Sequence, residues 1–192
     1  TYPGSNEQFI PHQKRISEKN DICAIITGPK PNAPMEDLHR ILDRLKETKP
    51  TTLVSFGGGS TTDITKAANI LYSLGGKIKN YFGIAIASQI SHNLGKSLHP
   101  HFAIQTAASS SAHLTKYSNV TNLSTHQKKL IIDDTIIPYK SIFDYASTLS
   151  APLELMIDGA LDGFSHSLEV YYGSLYAPNQ GLIEEVCLES IR

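Results

Sequence analysis

Cysteine is scarce and tryptophan is absent in this sequence of 192 residues. The 2 cysteines, Cys23 and Cys187, stand far apart within apolar stretches, so the sequence offers neither a disulfide framework nor a CxxC metal motif. We expect both to be buried free thiols in the reducing cytoplasm. The G-x-S-x-G motif is also missing, which argues against a serine nucleophile held in a strand-to-helix elbow.

The sequence also lacks an excess of positive or of negative charge. The formal net charge is -1, so no global field attracts nucleic acid or anionic lipid. The pair Lys128-Lys129 is interpreted as solvated surface. No apolar run approaches the roughly 20 residues that span a membrane, and we expect that the polar start at residues 1–7 is not a signal peptide. These features predict a cytoplasmic protein without a nucleic-acid or membrane partner.

Three consecutive glycines at residues 57–59 are the most informative feature that is present. They separate the apolar run 51–56 from a helical pattern that starts at Ile64. Glycines let a ligand approach the backbone closely, and a helix N-terminus attracts an anion, so the turn predicts a phosphate-binding site. The alternative is a capping box between Ser60 and Asp63 that ends a strand-to-helix turn and binds nothing.

The segments around this turn alternate between strand and helix patterns. An apolar run at 22–26 predicts a buried parallel strand, and residues 36–47 carry apolar side chains at helical spacing. The helix at 64–74 is expected to stop at Gly75-Gly76. Together with the central strand they form a βαβα unit, which predicts a parallel sheet that binds ligands at the carboxyl ends of its strands.

The second half of the chain changes character. Further short strands are predicted at 83–87, 102–106, 130–132 and 141–144, with a Ser-, His- and Asn-rich loop between the first two. The small-residue run 107–112 either turns or lies against a ligand. From residue 151 the pattern is helical, so we expect an α/β domain over 1–150 and the start of an all-helical domain over 151–192. The apolar pattern of the last helix reaches Arg192 without a stop signal, and we therefore expect a fragment of a longer protein.

One helical pair has the chemistry of a metal site. Asp162 and His166 are four residues apart, so on a helix they share one face and can grip one divalent ion. A catalytic site needs at least one more protein ligand, and the alternative is an ordinary surface ion pair. The rival candidates are the loop histidines His99 and His101, with His92 and His113 nearby.

The order of these motifs resembles the iron-containing (group III) alcohol dehydrogenases. Residues 57–66, GGGSTTDITK, resemble the family signature GGGSxxDxxK, and residues 103–108, AIQTAA, are similar to its A-I-P-T-T-A. Residues 159–169, GALDGFSHSLE, resemble its G-x-D-A-x-x-H-x-x-E helix. Residues 141–144 and 149–152 follow where its valine-rich strand and L-P-P-x-L stretch fall. The resemblance runs from about residue 21 to residue 192.

The resemblance implies a two-domain oxidoreductase. A Rossmann-like N-terminal domain would bind NAD or NADP, and a helical domain would hold Fe(II) or Zn(II). A small alcohol or aldehyde would react in the cleft between them, in a protein that is expected to be a homodimer. The ion would polarise the substrate oxygen while a hydride passes to or from the nicotinamide.

The resemblance also assigns residues. The cofactor would be contacted by the glycine turn and by the residues after the next strand: Gly57, Gly58, Gly59, Ser60, Asp63, Thr106 and Ser109. Asp63 would lie near the ribose or the substrate and is the catalytic candidate. Asp162 and His166 would be the first two metal ligands, and two further histidines are expected beyond Arg192. The family's first strand, with the residue that chooses NAD or NADP, is not recognisable before residue 21.

Alternatives stay open beside this assignment. Where the family has G-T-G-S-E, residues 109–113 here read Ser-Ser-Ser-Ala-His. That change suggests, as one alternative, a degenerate nucleotide-binding module without catalysis. A glycerol dehydrogenase or a dehydroquinate-synthase-like cyclase on the same fold is the other alternative, although the sequence shows no evident cluster of the lysines and arginines that a cyclase needs.

Overall fold

A computed structural model describes residues 5–107, 111–149 and 151–192. Helices and strands interleave up to residue 142, and the chain is then helical. The α-helices are α1 Ser5–Ser17, α2 Met35–Thr48, α3 Gly59–Leu74, α4 Ile86–Leu94, α5 Leu153–Gly173 and α6 Gln180–Ile191. The strands are β1 Leu53–Gly57, β2 Gly83–Ile84, β3 His101–Gln105, β4 Tyr117–Asn122, β5 Gln127–Ile132 and β6 Lys140–Ile142. Short 3-10 helices cover Ile78–Asn80, Asp134–Ile136 and Tyr145–Thr148.

A parallel sheet with the strand order β1-β3-β6 is the frame of the α/β part. Leu53 pairs with His101 at one end of the β1–β3 ladder, and Gly57 pairs with Gln105 at the other. Because the strands are parallel, their carboxyl ends meet at one edge, where α/β proteins bind their ligands. The predicted class, a parallel α/β sheet followed by helices, is confirmed.

A second, smaller sheet has the order β2-β5-β4. Its antiparallel hairpin pairs Tyr117 with Ile132 and Asn122 with Gln127. The apolar pattern of the sequence does not predict β4, because the only aliphatic side chain of this strand is Val120, which is fully buried. The hairpin covers α3 and so forms a wall beside the glycine turn.

Helix α3 lies at the centre of the hydrophobic core, packed against α2, β1 and β4. The predicted apolar stripe of α2 is confirmed, since Leu38, Ile41, Leu42 and Leu45 are all buried. On α3 small and branched residues alternate in the core, among them Ile64, Ala67, Ala68, Ile70 and Leu71. Full burial of a leucine or isoleucine side chain stabilises a fold by roughly 1.5–3 kcal/mol, so this layer holds the turn in place.

The limits of α3 differ from the prediction at one end and agree at the other. The helix begins at Gly59, one turn and more before the predicted Ile64. It ends at Leu74 as predicted, because Gly75 adopts φ 78 and donates its N–H to the Leu71 carbonyl at 3.0 Å.

The predicted strand at 22–26 is wrong. Residues 21–30 form no helix or strand, and the side chains of Ile22 and Ile25 are 37% and 55% exposed. A buried parallel strand needs a hydrogen-bonded neighbour and cover on both faces, and among the described strands β1 pairs only with β3. Cys23 in this run is exposed, against expectation, whereas Cys187 is buried as predicted.

Helix α4 occupies much of the stretch that was predicted to be a polar loop. The predicted strand at 83–87 is correspondingly reduced to Gly83–Ile84. A distant carboxylate explains the helix, since Asp133 accepts hydrogen bonds from the backbone N–H of Ser88, at 2.8 Å, and from its hydroxyl. A carboxylate at a helix N-terminus satisfies unpaired donors and complements the helix dipole.

Helices α5 and α6 pack against each other. Several of their apolar side chains are exposed: Leu153, Leu161, Val170, Tyr176 and Leu182. In the described part of the chain, no helix has both the length and the apolar character that crossing a membrane requires.

Candidate functional site

The glycine turn lies at the carboxyl edge of the parallel sheet. Gly57 ends β1, and the backbone N–H of Thr106, just after β3, donates to its carbonyl oxygen at 3.1 Å. Gly58 is the N-cap of α3, and its carbonyl accepts the N–H groups of Thr61 and Thr62 at 3.1 and 3.2 Å. The N-terminus of α3, where the first N–H groups of a helix lack intrahelical partners, therefore lies at the carboxyl edge of the sheet, as an anion site requires.

Steric packing explains the need for glycine at residue 57. A Cβ atom there would lie 2.5 Å from Thr61 Oγ1 and 2.8 Å from Thr61 Cβ. Among the described residues, a Cβ atom on Gly58 would meet one atom, the Cβ of Ala107, at an ordinary 3.8 Å. Gly57 thus allows the turn to close, whereas Gly58 has room beside it that a ligand can use.

The capping box between Ser60 and Asp63 is not formed, because the N-cap is Gly58. The hydroxyl of Ser60 instead accepts the backbone N–H of Asn32 at 3.1 Å. Asn32 and Ala33 have φ values of 67° and 52°, a left-handed conformation that brings this loop against α3. The loop thereby becomes a wall of the turn.

Asp63 lies one turn into α3 and is buried. Its carboxylate accepts the backbone N–H of Asn119 at 3.1 Å, and its carbonyl oxygen accepts the Ser118 hydroxyl at 2.8 Å. Burial raises the pKa of the Asp63 carboxyl, while the Asn119 N–H and the charge of Lys66 act in the opposite direction. Asp63 therefore joins α3 to β4 and keeps an acceptor at the base of the site.

These groups enclose a polar cleft of about 260 Å³. Its lining comprises Asn32, Ala33, Gly59, Ser60, Asp63, Asn119 and Lys128. Helix N–H groups and one ammonium group suit an anion, and the carboxylate and amide groups suit hydroxyl groups beside it. The arrangement can therefore bind a phosphorylated sugar.

The predicted metal pair lies on α5. His166 Nε2 is 3.5 Å from Asp162 Oδ1, and His166 Nδ1 is 3.5 Å from Glu169 Oε2. All three side chains are well exposed, so they share one solvent-facing side of the helix as the spacing predicts. Among the described residues no hydrogen bond or ion pair links α5 to the glycine turn.

The sequence profile described as iron-containing alcohol dehydrogenase matches residues 4–145. The chain belongs to the iron-containing alcohol dehydrogenase family. It is 30% identical over 166 residues to alcohol dehydrogenase 4 of Saccharomyces cerevisiae, an alignment that covers 86% of this chain and 42% of the relative. The NAD-dependent methanol dehydrogenase of Bacillus methanolicus is 30% identical over 82% of this chain and 40% of its own length.

Solved structures agree with this membership of the alcohol dehydrogenase family. A 1,3-propanediol oxidoreductase matches 77% of this chain and 37% of its own with a TM-score of 0.70 and 27% identity. For the fold alone, an NADH-dependent butanol dehydrogenase of Thermotoga maritima matches 88% of this chain and 42% of its own with a TM-score of 0.77 and 24% identity. The chain thus spans about two fifths of the length of the relatives it matches.

Two residues that were predicted to contact the cofactor follow β3 in the sequence. Thr106 is 1% exposed and is held against the glycine turn by its backbone N–H. Ser109 falls outside the described residues. Its assignment therefore stays a prediction.

Lys66 supports the cleft, a role that no sequence pattern predicts. Its side chain is 1% exposed, and Nζ donates to the carbonyl oxygens of Ala112, Thr115 and Tyr117. Burial lowers its pKa to about 8, and the Asp63 carboxylate opposes that shift. Lys66 therefore anchors the segment that leads into β4, beside the polar cleft.

The sequence does not predict three other residues of the cleft, Asn32, Asn119 and Lys128, for a different reason. Each reaches the cleft through tertiary pairing, Asn32 from a proline-rich loop and the other two from the β4–β5 hairpin. The only available signal was that the chain has polar residues in these segments, which does not distinguish a site from solvated surface.

The two main rival histidines, His99 and His101, form other contacts. His99 Nδ1 is 2.8 Å from the Ser73 hydroxyl, and His101 Nε2 is 2.8 Å from the Ser55 hydroxyl. Within residues 5–107, 111–149 and 151–192, no group of three or more His, Cys, Asp or Glu side chains could hold a metal ion. Asp162 and His166 therefore remain the metal-binding candidates.

Proposed function

We propose that this chain supplies the cofactor-binding part of a dehydrogenase that transfers a hydride between NAD or NADP and a small alcohol or aldehyde. The observation that carries the proposal is the glycine turn, which joins a parallel strand to the N-terminus of α3 and opens into a polar cleft. Family membership favours the redox reaction over other uses of such a cleft.

The roles of the cleft residues follow from their positions. The backbone N–H groups of Gly58, Gly59 and Ser60 hold the pyrophosphate at the start of α3, and Gly57 lets the turn close. Asp63 accepts a hydroxyl group of the ribose or of the substrate, because its carboxylate lines the cleft. Thr106 and Ser109 complete the contact after β3.

Asp162 and His166 fit a divalent metal ion in part. A carboxylate and an imidazole on one helix face are suitable donors for Fe(II) or Zn(II), and they give two of the ligands that a catalytic site needs. A bound ion supplies Lewis-acid polarisation of the substrate oxygen. We also propose that the boundary between the α/β and helical domains lies near residue 150, so that the two sets of residues belong to different domains.

The relatives support a small alcohol or aldehyde as substrate. Their names include the NAD-dependent methanol dehydrogenase of Bacillus methanolicus, a sulfoacetaldehyde reductase of Bilophila wadsworthia and the 1,3-propanediol dehydrogenase of Citrobacter freundii. The two alternatives, a related enzyme such as a glycerol dehydrogenase or a binding module without catalysis, are separated from this proposal by the test below. We also propose a homodimer.

The test uses the protein encoded by the complete reading frame. The protein is loaded anaerobically with Fe(II) or Zn(II), and NAD(P)H absorbance is followed with a panel that includes short alcohols, aldehydes, diols and glycerol. Turnover that depends on the metal and is lost in Asp162→Ala supports the proposal. Binding of NAD(P)H without turnover or metal retention would support the alternative of a non-catalytic module. A strong preference for glycerol would support the alternative of a related enzyme such as a glycerol dehydrogenase.

A further inference from the structure

A groove of about 680 Å³ lies between α2, the C-terminal end of α3 and the β4–β5 hairpin. It shares no lining residue with the cofactor cleft. Its volume is within the range of roughly 300–1,000 Å³ that is typical of sites for small molecules. The floor of the groove is apolar and comprises Met35, Leu42, Leu71, Ile78 and Phe82.

The rim of this groove is cationic. It carries the ammonium groups of Lys46, Lys77, Lys79 and Lys129, against a single carboxylate from Asp43. In the described part of the chain none of these lysines has a carboxylate within ion-pair distance. Lys129 Nζ lies 5.6 Å from the centre of the Phe82 ring, so one cation is held over the apolar floor.

Strand β5 shows why the rim and the cleft are separate. Consecutive side chains of a strand point to opposite faces, and Lys128 lines the cofactor cleft whereas Lys129 lines the groove. The pair Lys128-Lys129, interpreted from the sequence as solvated surface, thus contributes one cation to each of two sites.

We propose that this groove binds a small amphiphilic anion, with its carboxylate or phosphate head against the rim lysines and its apolar body on the floor. Unpaired cations around a concave apolar surface attract an anion from solution, and an apolar body gains from leaving water there. Neither feature alone selects this ligand class, because inorganic phosphate would leave the floor exposed and a neutral hydrocarbon would not contact the lysines. The site is independent of the dehydrogenase reaction.

The test measures binding of octyl phosphate and of octanoate to the complete protein by isothermal titration calorimetry, without cofactor or substrate. The double variant Lys77→Gln/Lys129→Gln removes two rim charges and is expected to raise Kd about tenfold, as the loss of two partly exposed charge contacts implies. The matched variant Lys96→Gln/Lys140→Gln makes the same charge change at exposed positions outside the groove, and its Kd is expected to equal that of the wild type. Phe82→Ala tests the floor and is expected to weaken octyl phosphate but not inorganic phosphate.

Three results overturn the proposal. The first is equal affinity in the two double variants, and the second is a loss of affinity in Lys128→Gln, which would place the ligand in the cofactor cleft. The third is inorganic phosphate that binds the wild type as tightly as octyl phosphate does. Because the readout is binding alone, absence of dehydrogenase turnover has no effect on any of these results.

Discussion

The ammonium group of Lys66 lies 2.9 Å from the carbonyl oxygen of Tyr117, the first residue of β4. The same group donates to the carbonyls of Ala112 and Thr115, so one buried cation fixes a segment of six residues against α3. This segment leads from the parallel sheet into the hairpin that contributes Asn119 and Lys128 to the cleft. Lys66 therefore acts on the cleft through the backbone it holds.

Replacing Lys66 by methionine is expected to destabilise the fold. The change keeps the aliphatic stem but leaves three backbone acceptors without their charged donor, at a cost of about 3 kcal/mol. Urea unfolding measures this loss. Lys116→Met is the matched control, because that side chain is exposed and forms a surface ion pair with Asp134. Equal stability of the two variants would contradict the anchoring role.

Alanine substitutions at two positions of the glycine turn are expected to have different effects, one on the stability of the fold and the other on ligand binding. Gly57→Ala places a Cβ atom 2.8 Å from Thr61 Cβ, so the turn must shift and stability falls by about 1–3 kcal/mol. Gly58→Ala makes one ordinary contact with the described residues, so its thermal midpoint changes less than that of Gly57→Ala, while the added methyl group weakens NAD(P)H binding. Thermal unfolding and NAD(P)H titration of both variants provide the measurements. Normal cofactor affinity in the Gly58→Ala variant would show that the pyrophosphate does not bind at this turn.

The sequence predicted this turn correctly because its chemistry is local. Glycines between a strand and a helix need no distant partner to indicate an anion site, and the apolar spacing of α2 is likewise a property of one segment. The strand at 22–26 was mispredicted because a strand is defined by its neighbour. Helix α4 was missed because its N-terminal carboxylate, Asp133, comes from 45 residues away.

Asp63→Asn is expected to preserve folding and impair function. An asparagine oxygen can still accept the Asn119 N–H, and burial has already raised the pKa of the carboxyl, so a neutral amide is tolerated there. The lost negative charge weakens hydrogen bonding to a ribose or substrate hydroxyl by about 1.5–3 kcal/mol. Thermal unfolding and the KM for NAD(P)H in the complete protein check both parts. Unfolding of the variant, or a KM equal to that of wild type, would argue against a role in the cleft.

The imidazole of His101 is expected to make stability depend on pH. Burial, with the nearby charge of Lys66, lowers the pKa of His101 from its ordinary 6.5 to about 3. During acidification the unfolded chain therefore binds a proton at this residue at a higher pH than the folded protein does. The free energy of unfolding falls as pH drops from 6.5 towards 3, by up to about 1.4 kcal/mol per pH unit.

His101→Gln is expected to reduce that pH dependence. The glutamine amide can keep a hydrogen bond to Ser55 but does not titrate. Urea unfolding at a series of pH values between 7 and 4 compares the slopes, and His92→Gln at the exposed end of α4 is the control. An unchanged slope in His101→Gln would show that this histidine is not buried in the folded protein.

The pair of Asp162 and His166 shows how far the sequence can predict a metal site. Spacing on one helix predicts that Asp162 and His166 face the same way, and the structure agrees, because helix geometry alone decides it. A third ligand depends on packing between distant segments, which spacing within α5 does not encode. The histidines at 99 and 101 were equally plausible by composition, and only their contacts with Ser73 and Ser55 show that they serve the core.

The two carboxylates around His166 are expected to differ in their effect on metal binding. Nε2 faces Asp162, the predicted co-ligand, whereas Nδ1 faces Glu169, which can accept its N–H and orient the ring. In the complete protein, Asp162→Asn is expected to abolish retention of Fe(II) or Zn(II) after dialysis. Glu169→Gln is expected to weaken it about tenfold, as loss of an orienting carboxylate does.

Elemental analysis by mass spectrometry, with competition by a chelator, measures both effects. Glu154→Gln, at an exposed position near the start of the same helix, is the control and is expected to retain metal as the wild type does. Equal loss in Asp162→Asn and Glu169→Gln would mean that Glu169 is itself a ligand. Full metal retention in Asp162→Asn would show that the metal does not bind at this pair. Asp162 and His166 would then form an ordinary surface ion pair, which their exposure also allows.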